Sequence, residues 1–75
     1  MRVTYDDEAD AAYIYLVQAH GKITRTLECG KFEKGDGINL DFDEFGTLVG
    51  VEIYLNARKV LPADLMAVAE QIGRR

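Results

Sequence analysis

Residues 38–55, INLDFDEFGTLVGVEIYL, decide the fold of this chain. Ile38, Leu40 and Phe42 alternate with Asn39 and Asp41, which places the two sets on opposite faces of a strand. A link at 43–46 comes next, with Gly46 where a tight turn needs positive φ. Beyond it Val49, Val51, Ile53 and Leu55 alternate with Leu48, Gly50, Glu52 and Tyr54. Nearly every residue of this second run is able to pack, so it is expected at the centre of a sheet or beneath a second surface. The two runs form an antiparallel hairpin.

A unit of the same kind opens the chain. In residues 5–16, YDDEADAAYIYL, an acidic turn precedes a run that sets Ala12, Ile14 and Leu16 against Tyr13, Tyr15 and, beyond it, Val17. Strands are therefore expected at 2–5, 11–18, 23–28, 37–42 and 47–55, with a glycine- and charge-rich loop at 29–36. Pro62 ends the extended regime and suits the first helical position. Leu65, Val68, Ala69 and Ile72 recur at helical spacing, Asp64 lies near the start and Arg74-Arg75 near the end. The expectation is one α+β domain over residues 1–75. It has a mainly antiparallel four- or five-stranded meander and one helix, about 63–73, packed on the sheet.

At 75 residues there is room for a single core. So short a chain buries only roughly 60% of the surface its unfolded form exposes, which leaves a thin stability margin. The lone Cys29 makes no internal disulfide, and His20 stands nine residues before it without zinc-ligand spacing. Oligomerisation, or an unusually well-packed core, is the remaining source of stability, and a homodimer is expected. Leu48, Tyr54, Tyr13, Tyr15 and Val17 form the patch it would bury, provided the second and fifth strands are neighbours. No apolar run approaches a membrane span, and the N-terminus turns acidic without a signal-like apolar segment. With a free cysteine besides, a cytoplasmic protein is expected. The net charge of −4 and the scattered basic residues disfavour nucleic-acid binding by the monomer and suit a basic protein partner.

Chemistry-bearing motifs are few. Residues 41–52 carry Asp41, Asp43, Gly46 and Glu52 at the spacing of a calcium loop, but Phe45 stands where an oxygen ligand is needed, and the flanks alternate like strands. Turn chemistry accounts for Asp43 and Gly46 without a ligand. Asp6, Glu8 and Asp10 also fit the start of such a loop, yet Ala11 and Val17 fill its glycine and glutamate positions. The chain has no serine, and nothing orients Cys29 with His20. Gly35-Asp36-Gly37 lacks the third glycine and the helix of a phosphate cradle. No catalytic, cofactor-binding or metal residue is assigned, and no enzyme is expected. Tyr5, Tyr13, Tyr15 and Tyr54 are the residues best suited to a core edge or an interface.

The segments YDDEADAAYIYL and GINLDFDEFGTLVGVEIYLNARKVL resemble the DUF2283 family of small uncharacterised proteins, over most of residues 3–61. The family pattern looks like Y-D-x-E-A-D-x-x-Y-I-x-L, then D-x-D-x-x-G-x-(V/L)-V-G-(I/V)-E. The resemblance implies no catalytic residue. Some members lie beside small toxin-like genes, which implies an antitoxin or partner-binding role. The expected function is a self-associating protein-interaction module of antitoxin type. The alternative is an ion- or small-ligand-binding domain using the acidic loop 41–52.

Overall fold

A computed structural model describes residues 1–30 and 37–72. The described elements are β1 (Arg2–Asp6), β2 (Ala11–Tyr15), β3 (Ile23–Gly30), β4 (Gly37–Asp43), β5 (Leu48–Leu55), α1 (Ala57–Val60), α2 (Ala63–Val68) and β6 (Glu70–Gln71). The class is α+β, and each strand read from alternation is present, β2 ending at Tyr15 rather than at 18. Residues 31–36 of the expected loop lie outside the described residues, as do Arg74 and Arg75.

The strand order is β3-β4-β5-β2-β1-β6, antiparallel except for β6, so the expected simple meander is corrected. Sequential pairing holds within β1–β2 and within β3–β4–β5. The join runs through β2 and β5, with Ala12 opposite Ile53 and Ile14 opposite Val51. Those two strands are apolar on the core face along their length, and pairing them places both away from the sheet edges. The chain between β2 and β3 therefore carries the polypeptide past two strands to the far edge.

One face holds the core. Tyr5, Ala12, Ile53 and Ala57 are buried together, with Ile14, Ile38, Val51, Val60, Leu61, Met66 and Ala69 packed around them. A bulge at Val49 breaks the β4–β5 register: Asp41 faces Gly50, but Phe42 faces Leu48. The extra residue reverses the alternation beyond it. Leu48 is thus opposite Phe42 instead of on the Tyr54 face, and Val49 is buried.

The single helix expected at 63–73 is replaced by α1, α2 and β6. Asn56, at φ 54°, turns the chain left-handed into α1, whose four residues are too few to show periodicity. Leu61 is extended, as a residue before proline prefers, and Pro62 precedes the helix in extended geometry rather than opening it. Ala69 is extended too and ends α2. The chain then pairs with β1 in parallel, Thr4 with Glu70 and Tyr5 with Gln71, and the Ile72 N–H donates to the Tyr5 carbonyl at 2.9 Å. The chain takes this strand pairing, with an Arg2–Glu70 ion pair at 3.0 Å, in place of one more helical turn. The expected helical stripe is accordingly split: Met66 and Ala69 pack on the core, while Val68 is 71% and Ile72 55% exposed.

Candidate functional site

Two acids of the motifs, Asp6 and Asp43, are held by their own turns, and a third, Asp10, by Tyr5 and α1. The Asp6 carboxylate accepts the Glu8 N–H at 3.0 Å and the Ala9 N–H at 3.4 Å, forming the first turn. Asp10 sits at φ 51°, a conformation aspartate tolerates better than most residues. Its Oδ1 accepts the Tyr5 hydroxyl at 2.8 Å and the Arg58 N–H at 3.0 Å, and its carbonyl accepts the Ala57 N–H at 2.9 Å. Asp10 therefore joins the first hairpin to α1. Asp43 Oδ1 accepts the Phe45 and Thr47 N–H groups at 2.9 and 3.0 Å, and Gly46 takes φ 80°. That carboxylate is engaged by its own turn, whereas Asp41 and Glu52 lie on the sheet face. Among the described residues no three metal-ligating side chains converge.

The remaining motif residues come together on the face opposite the helices. Register fixes two transverse rows: Arg2, Tyr15, Gly50, Asp41 and Thr26 in one, Thr4, Tyr13, Glu52, Asn39 and Glu28 in the next. Residues directly opposite across antiparallel strands share a face, so all ten belong to one surface. Tyr13 crosses between the rows. Its ring lies over Gly50, where a Cβ would collide with it, and its hydroxyl donates to Asp41 Oδ2 at 2.6 Å. Thr26 Oγ1 donates to the other Asp41 oxygen at 2.7 Å, so a carboxylate only 9% exposed has both oxygens satisfied. Gly37 plays the same part for Tyr54, whose hydroxyl donates to Glu28 at 3.3 Å. Asn39 Nδ2 donates to Glu52 at 3.1 Å, while its buried Oδ1 finds no donor among the described residues.

Tyr13 and Tyr15 stand with ring centroids 4.7 Å apart and planes tilted by 51°. The Arg2 guanidinium lies 4.9 Å from the Tyr15 centroid while it bonds Glu70. Burial, reinforced by the hydrogen bond to Asp41, raises the Tyr13 phenol above its usual ionisation range. Burial first, then Glu28, does the same for Tyr54. These phenols are neutral donors to carboxylates at ordinary pH, neither nucleophiles nor bases.

The sequence identifies Tyr13, Tyr15 and Tyr54 as interface candidates, and the structure gathers them with β2 beside β5 as that reading requires. It supplies polar partners to this face where an apolar patch was expected, and Leu48 is absent from it. Arg2, Thr26, Asn39 and Gly50 were not singled out from sequence. Gly50 carried a signal, since a glycine inside a strong strand marks a close approach. His20 and Cys29 are not brought together: β3 runs from the His20 loop toward Cys29, about 20 Å away by strand rise.

Among the described residues no helix is long and apolar enough to cross a membrane. No curated protein and no solved structure matches the chain. The family model of a protein of unknown function, DUF2283, matches residues 2–58, from β1 into α1, and so spans the five strands β1 to β5 while leaving α2 and β6 outside. The chain belongs to the DUF2283 family.

Proposed function

We propose that this protein is a small interaction module of the cytoplasm that self-associates and takes a basic protein partner, in an antitoxin-like role and without catalysis. One observation carries the reading. The helices cover a single face of the sheet, and the other face displays Tyr13, Tyr15 and Tyr54, half-buried among acidic and amide groups. Tyrosine is enriched at protein interfaces because a rigid ring gives contact area at low entropic cost while its hydroxyl keeps a polar partner. Self-association belongs at the other open feature, the edge of β3. This eight-residue strand ends the sheet, its residues 24–29 are exposed, and Leu27 is 51% exposed. An edge of that length templates pairing unless it is covered, and a second copy covers it symmetrically. Light scattering on the 8.4 kDa chain at micromolar concentration should give twice the monomer mass, and Leu27→Lys should shift it toward monomer. A well-folded monomer at every concentration would refute self-association.

A further inference from the structure

We propose that the tyrosine–carboxylate face binds arginine side chains of an extended basic segment from another protein, with arginines at alternate positions. The proposal rests on the interaction reading above and names the chemistry of the partner. Charge is divided between the two faces of the sheet. Glu28, Asp41 and Glu52 lie on the tyrosine face, held by Tyr54, by Tyr13 and Thr26, and by Asn39, all neutral donors that leave the negative charges in place. The ion pair at this face among the described residues is Arg2–Glu70. Arg25 and Arg58 stack instead on Phe42 and Tyr5, whose side chains belong to the opposite face. A basic partner completes the charge of the first face; a second copy would set carboxylate against carboxylate.

Arg2 displays the binding mode within the molecule. Its guanidinium lies over the Tyr15 ring at 4.9 Å while Nε and Nη2 reach Glu70 at 3.2 and 3.0 Å. A planar cation over a tyrosine ring, with two of its nitrogens on a carboxylate, is an arrangement that arginine makes and lysine does not reproduce. The face repeats the ingredients at Tyr13 beside Glu52 and at Tyr54 beside Glu28. Tyr13 and Tyr15 are two residues apart on β2, so their Cα atoms are about 7 Å apart, the spacing of same-face side chains in any extended chain. A segment laid along β2 thus presents one arginine to Tyr13 and the next to Tyr15, where it takes the place of Arg2 over the ring. At the Tyr15 end the face opens into a depression of about 330 Å³ lined by Arg2, Tyr15, Leu16 and Val17, which leaves room for the chain to continue.

The test is NMR titration of the full chain with two blocked peptides, one alternating arginine with valine and the other lysine with valine. The arginine peptide should shift the ring signals of Tyr13 and Tyr15 and the amide of Glu52, and bind at least about threefold more tightly than the lysine peptide. Tyr15→Leu with Glu52→Gln should weaken it about tenfold or more. Glu28→Gln, at an exposed residue whose loss spares the fold, should weaken it about two- to threefold. Equal affinity for both peptides, shifts confined to residues 6–10, or no binding at low salt would overturn the proposal. So would shifts on this face when the protein alone is concentrated, which would give the face to a second copy. The peptide outcomes leave the mass of the protein alone, measured by light scattering, unchanged, so the self-association reading stands or falls separately.

Discussion

Gly50 illustrates how one residue determines a whole surface. Glycine inside a strand ordinarily weakens it, and alanine there would regain roughly 0.5–1 kcal/mol of backbone entropy. Here steric exclusion wins, because a Cβ at Gly50 would occupy the space of the Tyr13 ring and displace its hydroxyl from Asp41. Gly50→Ala should therefore destabilise the fold by about 1–3 kcal/mol, the sum of an overpacked contact and a buried carboxylate losing a donor. In a Tyr13→Ala background the same substitution should be neutral or stabilising. Urea denaturation of the cycle, at unchanged m-value, should return an interaction energy above about 1 kcal/mol. Additive single and double variants would show that the ring over Gly50 contributes nothing. The tyrosines were legible in the sequence, since alternation places Tyr13 and Tyr15 on one face. Their partners were not, because Asp41 lies 28 residues away in the chain and only the β2–β5 register brings it near.

At the scale of elements, period-2 alternation located the strands because each strand reads its own two faces locally. The elements beyond β5 were not legible for the same reason in reverse. The four residues of α1 are positioned by a contact with Asp10, far away in sequence, and β6 is two residues paired with β1. The i, i+3, i+4, i+7 pattern from Leu65 to Ile72 favours a longer helix, and tertiary pairing overrides it after Val68. Asp10 makes this dependence testable. Its carboxylate and carbonyl together hold Tyr5, Ala57 and Arg58, and its own backbone is left-handed. Asp10→Ala should cost about 2–3 kcal/mol, from a lost half-buried acceptor and a φ that alanine resists. Asp10→Asn keeps an acceptor and tolerates the left-handed turn, so about 1 kcal/mol is expected. Hydrogen exchange should show the amides of α1 losing protection in Asp10→Ala before those of β5. Uniform loss across both elements would mean that Asp10 supports the whole fold rather than the seat of α1.

For the molecule as a whole, the response to rising pH is written in its tyrosine phenols. Tyr5 in the core, and Tyr13 and Tyr54 on the other face, all have their phenols raised, burial first in each case and then a carboxylate partner. A phenol with a raised folded value favours the fold while it is neutral. Its contribution is fully present below the unfolded tyrosine value of about 10, and is lost as pH climbs from there through the folded value. Stability should therefore hold through neutral pH with respect to these groups and fall above about pH 10. Phenolate should appear together with unfolding, because ionising Tyr13 in place sets a second negative charge against Asp41 at hydrogen-bond distance. Tyr13→Phe is expected to be less stable at neutral pH by about 1–2 kcal/mol, the value of one short hydrogen bond to a charged acceptor. Its urea midpoint should decline less steeply with alkali, so the curves of parent and variant converge as pH rises. Ultraviolet absorbance of phenolate, followed alongside the urea midpoint across the alkaline range, measures both effects. Tyrosines that all ionise near pH 10 on an intact sheet would show that neither burial nor Asp41 holds these phenols neutral.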